Sequence, residues 1–157
     1  HLVLTTLHTE TAAAALPRLL DLGIEAFLLR STLRAVIAQR LVRELCERCK
    51  STRILSEADL AEDPRLGVLG FRTGETVHAP AGCERCGGSG YRGRIGVFEV
   101  LELNAELRSL IGEKTDGLKI DQAAIRAGMT TMLDDGLAKC RAGLTSPAEI
   151  LRVTTTR

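Results

Sequence analysis

Four cysteines in two C-x-x-C pairs carry the strongest chemical signal in this chain. They are Cys46-Glu47-Arg48-Cys49 and Cys83-Glu84-Arg85-Cys86. Two residues between cysteines let a tight turn aim both sulfurs at one point. Four thiolates meeting there suit a soft divalent ion without directional preference, which is the donor set of a closed structural zinc site. Cys46, Cys49, Cys83 and Cys86 are therefore the predicted ligands of a structural Zn2+. Gly87-Gly88-Ser89-Gly90 follows the second pair and supplies residues that tolerate the positive φ of such a knuckle. Disulfides or buried free thiols are the alternatives, but disulfides need an oxidising compartment and nothing in the sequence points to export. Arg48, Lys50, Arg53, Arg85, Arg92 and Arg94 flank the pairs. Cations there favour the metal-bound thiolate; a nucleic-acid surface is the competing explanation.

Three histidines remain: His1, His8 and His78. A lone histidine is usually structural or solvated. His8 stands out because it ends a strand-like run, where ligands of open α/β sheets gather. It could sense or polarise an anionic group there. Gly112-Glu113-Lys114-Thr115 only superficially resembles the end of a phosphate-binding loop. It lacks the earlier glycine and follows a helical pattern rather than a strand. Cys140 lies far from the other four and reads as a small buried hydrophobe.

The elements that must position these residues alternate in type. In residues 1–7 the apolar side chains run together rather than alternate, as in a parallel strand covered on both faces. A polar segment and a helix from about residue 12 follow, with Thr9 or Thr11 as cap, Pro17 kinking the helix or delaying its regular part to Arg18 onward, and Gly23 ending it. Leu29, Leu33, Val36, Ile37 and Leu41 predict a second helix over about residues 25–43, with Arg30, Arg34, Arg40 and Arg43 mostly off that stripe; a solvated face accounts for most of them, and contact with a neighbouring subunit or nucleotide is the alternative. The 33 residues between the knuckles should hold a short helix and a small hairpin. Residues 91–103 read as a return strand. The rest is helical: a helix capped by Asn104, others over about residues 119–127 and 132–142, and a last one opened by the capping box Ser146-Pro147-Ala148-Glu149.

Composition narrows the function classes. The 157 residues carry a net charge of +1, so no polyelectrolyte partner is implied. Aromatic residues are 3% and Trp is absent, which disfavours single-strand nucleic-acid binding. A hydrophobic fraction of 45% permits a packed core. No run of about 18 apolar residues is present to span a membrane, and no signal peptide is recognised. The chain starts at His1 within a strand-like run, so it reads as part of a longer protein.

The ordered motifs resemble the type II secretion and type IV pilus assembly ATPases, the general secretory pathway protein E-like family. His1-Leu2-Val3-Leu4-Thr5-Thr6-Leu7-His8-Thr9 is similar to that family's His box, and Arg18-Leu19-Leu20-Asp21-Leu22-Gly23 to the segment after it. Gln39-Arg40-Leu41-Val42-Arg43-Glu44-Leu45-Cys46 resembles the approach to the first knuckle. Gly90-Tyr91-Arg92-Gly93-Arg94-Ile95-Gly96 resembles the exit from the second. Gly128-Met129, Asp135-Gly136 and Arg152-Val153-Thr154 match the helical end. The resemblance implies an α/β fold: the C-terminal part of a RecA-like P-loop ATPase domain, with a tetracysteine zinc-binding insertion and a helical C-terminal region. Its divisions would be residues 1–45 for the second half of the core, 46–90 for the zinc subdomain, 91–103 for the return strand and 104–157 for the helical region.

The resemblance also implies a function. A cytoplasmic homohexamer, peripheral to the inner membrane through platform partner proteins and using ATP and Mg2+, would drive pilus or pseudopilus assembly. His8, and secondarily His1, take the catalytic His-box role near the γ-phosphate; Arg18 and Arg94 match positions at the nucleotide site or subunit interface. Walker A, the acidic box and Walker B are absent here and would lie upstream, so this chain alone should hydrolyse no ATP. Glu10 departs from the family's usual Asn or Thr. The alternative is a stand-alone zinc module. Cys83-Glu84-Arg85-Cys86-Gly87-Gly88-Ser89-Gly90 fits one of the four repeats of J-domain chaperones, and a nucleic-acid-binding zinc ribbon is the other form.

Overall fold

The fold is known from a computed structural model, in which residues 1–154 are described. Along the chain come helices α1 (Ala15–Asp21) and α2 (Ala26–Thr32), then strands β1 (Ala35–Leu45) and β2 (Ser51–Ile54). Two short helices, α3 (Glu57–Glu62) and α4 (Pro64–Val68), precede β3 (Thr76–Ala79). A 3-10 turn over Glu84–Cys86 leads into β4 (Tyr91–Glu102), followed by α5 (Ala105–Leu110), α6 (Gly117–Arg126), α7 (Met132–Arg141) and α8 (Pro147–Thr154). The architecture is mixed α/β. The last three residues of the expected helical region fall outside the described residues.

Two compact units emerge, each from two stretches of chain. The first is His1–Gln39 with Phe98–Thr131; the second is Arg40–Val97 with Met132–Arg157. In the first, α1 has Ala14 at its N-cap and no side-chain cap, so neither Thr9 nor Thr11 caps it; the Thr11 hydroxyl accepts from Ala14 N at 3.2 Å in the turn before the helix. Pro17 falls in the first turn, where its missing N–H costs nothing. Gly23 closes the helix at φ 85°: its N–H reaches Leu20 O at 2.9 Å and Ile24 N–H reaches Leu19 O at 3.2 Å, the paired bonds of a Schellman end. Leu16, Leu29, Leu101, Leu107, Ile111 and Ile120 form the centre of this unit's core. Asn104 caps α5 through Leu107 N at 2.8 Å.

In the second unit, β2 and β3 pair antiparallel, with Thr52 opposite His78 and Arg53 opposite Val77. Ser56 and Asp59 cap α3 reciprocally. The expected helix-and-hairpin insertion is thus present, with two short helices between its strands. Helices α7 and α8 meet at Gly136, where a Cβ would lie 2.8 Å from Ile150 Cδ1. Cys140 is buried, and desolvation pushes its thiol up to about 12, as fits an inert core position.

Three further expectations are corrected. Residues 1–9 form no strand: Leu2, Val3 and Leu4 are 82%, 78% and 87% exposed. An apolar run becomes a strand only against a ladder partner, and among the described residues none pairs with it; the two sheets are β1–β4 and β2–β3. The predicted helix over residues 25–43 stops at Thr32, and the chain continues as β1. Val36 and Ala38 are half-buried and Val42 is fully buried, while Ile37 and Leu41 are exposed. That is a strand's period of two rather than a helical stripe. The last helix has half of its capping box. Ser146 Oγ accepts from Glu149 N at 3.4 Å, but the Glu149 carboxylate turns to Arg43 and Arg152 instead of back to residue 146.

Candidate metal centre and its surroundings

The knuckles are built by local hydrogen bonds. Cys49 N and Lys50 N both donate to Cys46 O, at 3.0 and 2.9 Å. In the second knuckle, Cys86 N and Gly88 N donate to Cys83 O at 3.2 and 2.9 Å. Gly87, Gly88 and Gly90 all take positive φ, as the sequence requires of that turn. Gly90 also passes so close to Pro80 that a Cβ would sit 2.3 Å from the Pro80 Cβ and 2.8 Å from its Cα.

These turns bring the four predicted sulfurs together. Cys46 and Cys83 Sγ lie 3.9 Å apart, Cys49 and Cys86 3.8 Å, and Cys83 and Cys86 3.8 Å. All four lie within 4.8 Å of one another. A tetrahedron of metal–sulfur bonds of about 2.3 Å has edges of about 3.8 Å, so the donor set has the size that zinc requires. The separations are far from a disulfide bond of about 2.05 Å, and all five cysteines are free. The disulfide alternative therefore fails on geometry.

The thiols are electrostatically unequal. The backbone N–H of Cys83, and then that of Gly90, each 3.2 Å from Cys86 Sγ, hold that thiol down to about 6. Burial, then the crowding thiol of Cys83, pushes Cys49 up to about 12. Four thiolates at this spacing repel one another unless a cation sits among them. The residues fit a divalent thiophilic metal.

Five of the six flanking cations divide into two groups. Lys50 Nζ bonds Glu47 at 2.8 Å and Gly143 O at 3.0 Å, and Arg53 pairs with Asp59 at 2.5 Å. Both have structural duties elsewhere. Arg48, Arg85 and Arg92 instead line a hollow of about 420 Å³ that also includes Cys46, Glu44 and Glu47. Their charge suits a negatively charged tetrathiolate centre. A larger hollow of about 710 Å³ is lined by Arg53, Arg65, Arg152, His78 and Tyr91, among others. Its three arginines are already paired with Asp59, Asp63 and Glu149.

The structure also contains a network that the sequence reading missed. Glu149 is buried at 1% exposure, and its carboxylate accepts from Arg43 Nη2 at 2.7 Å, Arg152 Nη2 at 2.9 Å and Arg43 backbone N at 2.8 Å. Burial pulls this carboxyl upward; the guanidinium bonds of Arg152 and Arg43 outweigh it and hold it at about 2. Arg43 stacks 4.2 Å above the Tyr91 ring, and Tyr91 Oη bonds Ser146 Oγ at 2.7 Å. Arg43 thus lies on a strand, half-exposed, and pairs with a buried carboxylate rather than lying on a solvated helix face. Once β1 is read as a strand, period-two alternation about Val42 puts Arg43 on the opposite face; its partner 106 residues away leaves no local signal.

The remaining candidates are exposed. His1 and His8 lie on the exposed leading segment and Arg18 is exposed on α1, all in the first unit. Arg94 is exposed on β4 in the second. His78 is structural: its Nδ1 lies 3.1 Å from Thr52 Oγ1. Among the described residues, no helix is long and apolar enough to cross a membrane.

Comparison with known sequences extends well beyond the knuckles. The family described as "Type II/IV secretion system protein" matches residues 1–152. Type II secretion system protein E of Pectobacterium carotovorum subsp. carotovorum is 42% identical over 154 residues, which are 98% of this chain and 30% of that protein. The protein of the same name from Pseudomonas aeruginosa is 44% identical over 154 residues, with the same coverage. Type IV pilus assembly ATPase PilB of Thermus thermophilus is 40% identical over 156 residues, 96% of this chain and 17% of that protein. The chain therefore spans less than a third of the length of these relatives.

Proposed function

Because the chain belongs to the Type II/IV secretion system protein family, we propose that it is the C-terminal part of an ATPase that drives protein secretion or pilus assembly. The observation that carries this reading is the match over residues 1–152, which includes the His-box segment, both knuckles and the helical end. A stand-alone zinc module, whether chaperone-like or a nucleic-acid ribbon, would account only for the knuckles.

On this reading residues 1–45 complete a RecA-like core, residues 46–90 form a zinc-binding excursion, residues 91–103 return to the core and residues 104–157 form the helical region. Cys46, Cys49, Cys83 and Cys86 hold Zn2+, which supplies structural cross-linking and no chemistry. The cross-link has a clear mechanical role. Cys46 directly follows β1, and Cys86 leads through Gly90 into β4, so the four thiols fix the end of one strand to the start of the other. The bond from Cys46 N to Gly90 O, at 2.9 Å, continues the same clamp.

His8 is the residue assigned to the nucleotide, near the γ-phosphate, with His1 second. Arg18 and Arg94 are assigned to the nucleotide site or to a neighbouring subunit. Their exposure leaves them available for contacts outside this chain. ATP and Mg2+ are the cofactors of the full-length protein, a cytoplasmic homohexamer reaching the inner membrane only through platform partners. Steady-state ATP hydrolysis by the full-length protein tests this. His8→Ala should lower kcat by at least about tenfold with the melting temperature unchanged; an unchanged kcat refutes the role of His8.

A further inference from the structure

Glu99 stands where β4 should carry an apolar side chain. Along the strand Val97, Glu99 and Leu101 face the same side, and they are 0%, 3% and 0% exposed. Period-two alternation puts all three on the buried side of the strand. A carboxylate in such a row is costly unless a donor reaches it.

One donor is remote in sequence. Glu99 Oε1 accepts from the backbone N–H of Ala12 at 2.6 Å, across 87 residues and within the first unit. Ala12 is itself fully buried, so without Glu99 its N–H would lose this acceptor in a place water does not reach. From Ala12 the bonding runs back along the turn. Thr9 hydroxyl donates to Thr11 O at 3.1 Å, Thr11 hydroxyl accepts from Ala14 N at 3.2 Å, and Ala15 N donates to Ala12 O at 3.2 Å. Residues 9–15 are therefore one bonded turn, tied to β4 through Glu99. His8 is the residue immediately before it, on a segment that has no strand pairing of its own among the described residues.

We infer that Glu99 is a positioning residue for His8: its carboxylate oxygen anchors Ala12 N–H and so fixes where the segment that bears the imidazole leaves the core. The functional consequence rests on the reading of His8 given above. The anchor at Ala12 needs a hydrogen-bond acceptor at the right reach. Glutamine keeps that acceptor at the same length; aspartate keeps the charge but draws the oxygen back by one methylene.

The test uses the full-length ATPase with Glu99→Gln, Glu99→Asp and Glu99→Ala, alongside His8→Ala. Glu99→Gln should keep kcat within about threefold, while Glu99→Asp should lose roughly ten- to hundredfold in kcat with little change in KM for ATP. Glu99→Ala should behave like Glu99→Asp. If the alanine variant does not fold, the Gln and Asp pair still decides. Equal kcat in those two variants, or a Gln variant as impaired as Asp, overturns the inference. Hydrogen exchange supplies a readout independent of turnover: Glu99→Asp should speed amide exchange at residues 9–15 while residues 117–126 keep wild-type protection. Unchanged exchange at residues 9–15 also overturns it. A silent His8→Ala with accelerated exchange in Glu99→Asp would instead remove the role of His8 and leave the anchor standing.

Discussion

Cys46 Sγ and Cys83 Sγ lie 3.9 Å apart although 37 residues separate them. The intervening chain makes this possible by folding back on itself, since β2 and β3 pair antiparallel between the two knuckles. The insertion is thus a closed excursion: it leaves the end of β1 at one knuckle and returns at the other, just before β4. The glycines of the second knuckle and the cap network around Glu149 support that geometry from two sides, and each can be tested separately.

Gly90→Ala should be among the most damaging single-methyl additions in the chain. At φ 75° an L residue costs about 1–2 kcal/mol. The new Cβ would also meet Pro80 backbone at 2.8 Å, and backbone cannot swing aside. Gly90 N–H is also a donor to Cys86 Sγ, so metal affinity should fall with stability. A loss of at least about 2 kcal/mol in urea unfolding is expected. Gly67→Ala is the control: on α4, with no atom within 4 Å of its Cβ, it should be neutral or stabilising by up to about 1 kcal/mol.

Glu149 should govern acid sensitivity. Its carboxyl is held at about 2 in the folded chain against an ordinary value of 4.5. A depressed carboxyl contributes stability in full above its unfolded value and loses it as pH falls through the folded one. The window is therefore from about pH 4.5 down to about pH 2. Because Arg43 and Arg152 side chains are 51% and 53% exposed, the contribution at neutral pH is discounted to roughly 2–3 kcal/mol. Glu149→Gln should be less stable than wild type by that amount at pH 7, with the two unfolding curves converging near pH 2. A constant difference across the window would contradict the assignment.

The sequence was legible wherever the signal was local. Asn104 as a cap, Gly23 as a helix stop and Cys140 in the core each follow from one residue and its immediate neighbours, and each is present. The four sulfurs were legible because metal-site spacing is itself a local code. The failures share a different physics. Leu33, Val36, Ile37 and Leu41 satisfy helical spacing, but β1 is decided by β4, which begins 46 residues after β1 ends. Short apolar segments without Gly or Pro punctuation cannot be divided by periodicity alone. Residues 1–7 show the converse, a strand-like run with no ladder partner among the described residues. Glu149 had a good local role as the third helical residue of a capping box, and a non-local ion pair displaced it.

Residues 1–157 contain no G-x-x-x-x-G-K-[ST] sequence, and the purified chain of that length should release no phosphate from ATP above a buffer blank. Coupled-enzyme or malachite-green detection at micromolar protein checks this. Sustained turnover that survives further purification would contradict the placement of the phosphate cradle outside this chain.

The central claim is that the four knuckle thiols hold zinc and that this metal holds the fold. Elemental analysis of the purified chain, paired with its melting temperature, tests it most directly. The expected result is one zinc per chain in wild type, and in Cys83→Ser a loss of metal together with a fall in melting temperature, since site and fold are coupled. Zinc-free wild-type protein, or a Cys83→Ser variant that keeps its metal and melts unchanged, would contradict the account.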